Sequence, residues 1–321
     1  MDLKLGYALS GEEHRPLDLV ANGARAEEIG FDFLGVSDHF HPWVGKQGNS
    51  PFVWSVLGGL AQATERIPVM TGVTCPTIRI HPAIIAQATA TVASMLPGRF
   101  WFGVGAGEQL NEHVIGEGWP PNDLRLEMLE EAIEILRELW EGERTTKRTK
   151  HFTVDRARIY TLPEEPPPIF VAAGGDRATK LAGRLGDGLV GLVPDADVVS
   201  TFEEAGGAGK PKVGQSHVCW GEDEAACRKL ALEWWPNAAA PGDLSWEIAE
   251  PPHFEALAES TSEDEVAESV LCGPDPGPIV EELREFADAG YTHMYIHQVG
   301  PDQDGFLGFA ERELLPALRE G

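Results

Sequence analysis

Strand-like and helix-like segments alternate along almost the whole chain, and that alternation restricts the fold more than any other feature. The strand-like runs are Leu3–Leu9, Phe31–Val36, Ile67–Thr74, Arg99–Gly105, Ile169–Ala173 and Gly188–Val193. Between them, apolar residues recur at helical spacing over Leu17–Ile29, Phe52–Thr64, His81–Leu96, Leu124–Trp140 and Asp176–Leu185. Gly30 stands where a left-handed helix cap is needed. His217–Trp220 reads as a short strand backed by the helix Asp223–Trp235. A helical stretch Pro278–Ala289, the strand Thr292–His297 and the helix Phe306–Leu318 close the chain, and Lys150–Tyr160 reads as a β-hairpin. Roughly eight βα repeats with right-handed crossovers predict an α/β protein, one (β/α)8 TIM barrel over 1–321. An open doubly wound sheet is the alternative. It calls for G-x-G-x-x-G after the first strand, and Ser10-Gly11-Glu12-Glu13 stands there instead. Regularity lapses over about 195–269, where Asp195–Pro211 reads as a mobile loop and Asn237–Ser269 as a partly helical insertion.

Charge narrows the partners. Fifty-two acidic residues face 25 basic ones, most of them Arg, for a net charge of −27 over 321 residues. Such a surface repels nucleic acid and anionic membranes, and it suits a salt-rich cytoplasm where screening relieves the self-repulsion. The reading is a halophilic protein acting on a small molecule. No run of ~18 apolar residues is present to span a bilayer, and the chain passes from Met1 straight into a strand with no secretory leader. Cys75, Cys219, Cys227 and Cys272 show no C-x-x-C spacing and read as reduced cytoplasmic thiols.

In a barrel the carboxyl ends of the strands converge on one mouth, where chemistry is done. The second strand delivers Ser37-Asp38-His39-Phe40-His41-Pro42-Trp43 there, and the fourth delivers Gly103-Val-Gly105-Ala-Gly107-Glu108-Gln-Leu-Asn111-Glu112. His39 with Glu108 makes an acid/base pair near neutral pH if burial and neighbours separate their pKa values. Trp43 can wall a pocket. Gly103, Gly105 and Gly107 can bring backbone N–H groups to a flat or anionic ligand. Ala172-Ala173-Gly174-Gly175 precedes a helix whose free N–H groups suit a phosphate. The third strand end, Gly72-Val73-Thr74-Cys75-Pro76-Thr77, is uncharged. No metal is expected: Asp38, His39 and His41 lack a second ligand cluster. G-x-S-x-G is absent, so no serine nucleophile is supported. Trp54, Trp101 and Trp140 read as core, while Trp220 and Trp235 are pocket candidates.

These stretches, with Leu5-Gly-Tyr7, His81-Pro-Ala-Ile-Ile-Ala-Gln87, Trp119-Pro120 and Ala182-Gly-Arg-Leu-Gly-Asp187, resemble the luciferase-like barrel superfamily, and within it the branch that uses the deazaflavin coenzyme F420. The resemblance covers most of 1–193. It implies that Asp38, Gly72, Val73, Gly105, Gly107 and Asn111 bind the deazaflavin ring region, and that Ala172, Ala173, Gly174 and Gly175 hold the cofactor phosphate. It also implies that His39 is the base, Glu108 the acid and Trp43 the wall of the reacting face. Gly72-Val73 falls where the family has a non-prolyl cis peptide. Two activities compete within that branch, oxidation of a secondary alcohol and oxidation of glucose 6-phosphate. The cationic phosphate positions of the sugar branch align near Asp195, Ser245 and Ser269, none of them a cation. Glu12, Trp43, Leu192 and Trp235 are therefore read as the pocket of a small or medium neutral alcohol. The resemblance also implies a homodimer. An FMN-dependent monooxygenase and a barrel that binds without turnover are the remaining alternatives.

Overall fold

The computed structural model describes residues 3–240 and 244–320; Met1, Asp2, Gly321 and Pro241–Asp243 (the last three within the expected irregular stretch) lie outside the described residues. In chain order the strands are β1 (Lys4–Leu9), β2 (Phe33–Val36), β3 (Val69–Thr71), β4 (Phe100–Val104), β5 (Thr145–Arg148), β6 (Thr153–Ala157), β7 (Ile169–Ala172), β8 (Gly188–Gly191), β9 (Lys212–Cys219), β10 (Leu271–Cys272) and β11 (His293–Gln298). Eight of them, β1, β2, β3, β4, β7, β8, β9 and β11, pair in parallel as a closed ring. Closure between β8 and β9, with Val190 opposite Val213, rules out the open sheet. Strands buried on both faces need nearly continuous apolar runs, and all four residues of β2 are buried.

Side chains alternate between two cores. Outward residues such as Leu34, Val69, Phe102 and Val171 join Leu19, Leu57, Leu60, Ile133 and Leu136 of the surrounding helices. Inward residues Phe33, Met70, Phe170, Val190, Val213 and Tyr295 fill the lumen below the mouth. The first helix begins with a proline at Pro16 and stops at Gly30, whose φ of 98° is easy only for glycine. No helix among the described residues is long and apolar enough to cross a membrane.

Three expectations are corrected. Asp195–Pro211 is not a loop: Asp195 caps a helix, Ala196–Phe202, by accepting from the N–H groups of Asp197 (2.8 Å) and Val198 (3.2 Å), and an irregular turn continues it to Gly207. Its loop-like composition serves close packing, since a Cβ added at Gly183 would come within 2.5 Å of Ala205 Cβ. The strand expected at His217–Trp220 is the eight-residue β9. Its first half hides from hydrophobic patterning because Gly214 must clear Met294 and because Gln215 hydrogen-bonds the hydroxyl of Tyr295 in the lumen. The hairpin lies at Thr145–Arg148 and Thr153–Ala157, somewhat before the expected span, where Glu131 accepts from the N–H groups of Lys150 and His151 and fixes its tip.

Candidate active site

Strand ends gather the expected acid/base pair. His39 follows β2; its Nδ1 is 3.2 Å from Glu12 Oε1, beyond β1, and its Nε2 is 3.4 Å from Glu108 Oε2, beyond β4. Glu12 is buried and accepts hydrogen bonds from Ser10 (3.0 Å) and Ser37 (2.7 Å). Burial alone pushes Glu12 up, but the nearby His39 and the two hydroxyls bring its carboxyl below the ordinary value. Burial likewise depresses His39, and Glu12 and then Glu108 reverse that and raise it. Glu108 is raised: burial dominates, and His39 only partly opposes it. One imidazole thus stands between a carboxylate held ionised and a carboxyl held toward its protonated form.

Asn111, read as a ring-binding residue, makes hydrogen bonds within the protein at both ends of its buried side chain. Its Oδ1 accepts from the N–H of Phe40 (2.9 Å) and of His41 (3.3 Å), and its Nδ2 donates to Glu108 (3.1 Å). It braces the β2 loop against the β4 loop. Gly105 and Gly107 also serve the packing of the chain itself. The Gly105 N–H donates to Thr74 O (3.0 Å), and a Cβ there would come within 2.9 Å of Val73. At Gly107 a Cβ would come within 2.7 Å of Cys75 Sγ. Both glycines make room for the bulge after β3, where the Gly72–Val73 peptide is cis.

The third strand end proves to be charged. Arg79, half a turn beyond the stretch read as neutral, is nearly buried and donates to Asp38 Oδ1 at 2.8 Å, with Glu112 3.8 Å from its Nε. Burial pushes Glu112 up to about 7, against the pull of Arg79. The signal for Arg79 was a lone guanidinium inside an apolar run, Thr77-Ile-Arg-Ile80, just before a helix; such a cation goes unburied unless it has partners.

Trp43 lies tilted against His39 (ring centroids 5.1 Å, 56° between planes) and meets Phe254 (5.2 Å) and Trp235 (6.5 Å) edge-on. Trp235 in turn lies against His297 (4.4 Å) and His217 (5.5 Å). Both histidines escaped the sequence reading. His297 Nε2 pairs with Glu13 Oε2 at 2.5 Å, and burial, reinforced by His297, drives His217 down to about 3, so it is neutral. Leu192 does not join this wall: it stands 53% exposed after β8.

A flat cofactor with a phosphate-bearing tail finds matching features. Asp38 Oδ2 and Thr74 Oγ1, the latter directly after the cis bulge, are buried without a hydrogen-bond partner. Ala173 N–H is used by Val190 O (2.9 Å), so the two alanines serve the sheet. Gly174 and Gly175 are open, with nothing within 4 Å of an added Cβ, and the helix Asp176–Leu185 that they introduce has no side-chain cap. Its first N–H groups are thus available to an anion.

The family model for luciferase-like monooxygenases matches residues 4–293. The chain belongs to the luciferase-like family. It is 34% identical to an F420-dependent glucose-6-phosphate dehydrogenase of Intrasporangium calvum, over 99% of both chains. It is 36% identical to the enzyme of the same name from Rhodococcus erythropolis, covering 99% of this chain and 98% of that one. Among solved structures, an F420-dependent secondary alcohol dehydrogenase in complex with an F420-acetone adduct superposes with a TM-score of 0.91 at 30% identity, covering 99% of this chain and 100% of that one.

Proposed function

We propose that this chain is a coenzyme F420-dependent dehydrogenase that oxidises a CH–OH group. The observation that carries the reading is the placement of His39 between Glu12 and Glu108, against Trp43. F420, when bound, supplies the hydride acceptor. Asp38, Thr74 and the Gly72–Val73 bulge would hold its ring region, and Gly174–Gly175 its phosphate. His39 Nε2 takes the hydroxyl proton, and the Glu12 carboxylate stabilises the imidazolium that results. Glu108, whose carboxyl is raised by burial, is the group that gives a proton. Trp43, Trp235 and Phe254 exclude water from one side of the mouth.

For the substrate, an uncharged alcohol is the first reading. The charged groups that act on His39 are Glu12, Glu108 and Arg79, and the Arg79 guanidinium is already paired with Asp38 and faces Glu112. A phosphate dianion needs free cations or many donors. Glucose 6-phosphate is the second reading, favoured by the names of the relatives at 34% and 36% identity. Loss of F420 absorbance with a panel of secondary alcohols and glucose 6-phosphate, in molar KCl, separates the two. Turnover of glucose 6-phosphate at lower KM than any alcohol would overturn the first reading. Titration of the protein with FMN and with F420 separates both from the monooxygenase. Within the same reading the chain acts in a salt-rich cytoplasm as a homodimer, supported by the exposed apolar side chains Phe52, Ile84 and Met95 along two neighbouring helices. Light scattering at the monomer mass would remove the dimer.

A further inference from the structure

Three of the four cysteines, far apart in sequence, meet on the flank of the pocket wall. Cys219 ends β9, Cys227 lies in the helix Glu224–Trp234, and Cys272 forms half of the two-residue strand β10. All are free thiols. Cys272 and Cys219 are register partners on paired parallel strands, and Cys272 packs on the cluster that contains Cys219 and Cys227. Register partners project to the same side of a sheet, with Cα atoms about 5 Å apart, inside the roughly 4.4–6.8 Å range of disulfides.

We propose that Cys219 and Cys272 are an oxidisable thiol pair, which peroxide closes into a disulfide that ties the 236–270 insertion to the barrel. The two thiols are not equivalent. Cys219 is fully buried, whereas Cys272 is partly exposed, so the oxidant meets Cys272 first. The neighbouring Cys219 holds the Cys272 thiol below its ordinary value, with burial opposing and the Arg228 guanidinium assisting, while Cys272 Sγ donates to Val270 O (3.4 Å). The Cys272 thiolate attacks one peroxide oxygen; the O–O bond breaks, leaving a sulfenic acid on Cys272 and releasing hydroxide. Hydroxide takes the proton of Cys219, whose sulfur attacks Cys272 sulfur. The S–O bond breaks and its oxygen leaves as hydroxide, which becomes water by taking up the proton that Cys272 shed in forming its thiolate. Two thiols lose two electrons, and one peroxide becomes two waters. Cys75 is an internal contrast: burial, with Glu112 beside it, pushes its thiol up, and it hydrogen-bonds Thr77 (3.1 Å).

The link would act on the proposed substrate pocket from behind. β10 is where the insertion returns to the barrel, and that insertion carries Phe254, which packs on Trp43. The proposal stands apart from the hydride-transfer reading, because its test measures covalent chemistry. The full chain is treated with hydrogen peroxide, then digested without reductant and weighed. A loss of two hydrogens in the intact mass and a Cys219–Cys272 linked peptide are expected, with the thiol count in denaturant falling by two. Dithiothreitol restores both. Cys227→Ser keeps the cross-link and Cys272→Ser abolishes it, and the wild-type peptide map decides alone if a variant fails to fold. Oxygen added to Cys272 without a cross-link, a Cys219–Cys227 link, or four unreacted thiols would each overturn the proposal.

Discussion

His39 Nε2 lies 3.4 Å from Glu108 Oε2, although two strands and two helices separate the two residues along the chain. The pairing exists because β2 and β4 flank β3 in a closed barrel, which brings their loops to the same rim, and because Asn111 clamps one loop to the other. Each partner shifts the other, and the pH dependence of turnover reports it.

His39 acts as base only when neutral, and its pKa is raised. The acid limb of kcat/KM is therefore expected above the ordinary imidazole value. Glu108 gives a proton only when protonated, and its raised value carries the alkaline limb. Glu12→Gln removes the first of the attractions on His39 and should move the acid limb to lower pH. Glu108→Gln should flatten the alkaline limb and cut kcat by about 10²-fold or more. Stability follows the same signs. The His39 contribution is complete below the unfolded imidazole value and lost as pH rises through the folded one. The Glu12 contribution is present above the unfolded carboxylate value and lost as pH falls through its depressed one. An acid limb unmoved in Glu12→Gln would dissolve the coupling.

Arg79 neutralises buried Asp38 and faces Glu112, both almost without exposure. Removing one partner of a buried pair leaves the others uncompensated. Arg79→Gln is expected to cost about 3–5 kcal/mol in denaturant unfolding. It should also raise His39 and Glu108 further, since Arg79 lowers both. Arg79→Lys restores the charge without the fork and should recover part of the stability. Unchanged unfolding in Arg79→Gln would contradict the network.

The strand order and the positions of His39, Glu108 and Trp43 were legible because parallel strands write themselves as apolar runs and because barrel topology places all their ends together. Three other features were not. β9 carries Gly214, Gln215 and Ser216 at lumen or packing positions, so no hydrophobic period marks its first half. Arg79 and the His217–His297 pair acquire meaning only from neighbours distant in sequence. The glycines of Gly103–Gly107 read as ligand contacts, yet sequence cannot distinguish a ligand from the chain's own bulge. The structure places Thr71 O and Val73 against them.

That distinction predicts opposite outcomes for two glycine-to-alanine changes. At Gly103 a Cβ would sit 1.9 Å from the backbone oxygen of Thr71, and neither strand can yield. Gly103→Ala is expected to lower stability by about 3 kcal/mol or more, or to prevent folding. At Gly174 a Cβ meets nothing within 4 Å. Gly174→Ala should keep the melting temperature within about 2 °C while weakening F420 binding, read as fluorescence quenching, by about tenfold. Normal F420 affinity in Gly174→Ala would move the phosphate site elsewhere.

Net charge gives the last expectation. With 52 acidic and 25 basic residues, the folded chain concentrates a charge of −27 that the expanded chain spreads out. Ion pairs such as Arg137–Asp187 and Lys180–Asp176 are exposed and weak. The repulsion they leave is long-ranged, and it is this part that salt removes. The Debye length falls from about 30 Å at 0.01 M to about 3 Å at 1 M. Screening thus weakens the few attractive pairs and the many repulsive ones together, and the repulsive ones are the more numerous. The melting temperature should rise by about 10 °C or more between 0.01 M and 1 M KCl, with most of the gain below about 0.3 M, where screening changes fastest. Potassium chloride is the proper titrant, since sulfate would add its own exclusion effect. A melting temperature flat or falling across that range in a thermal scan would refute adaptation to a salt-rich cytoplasm.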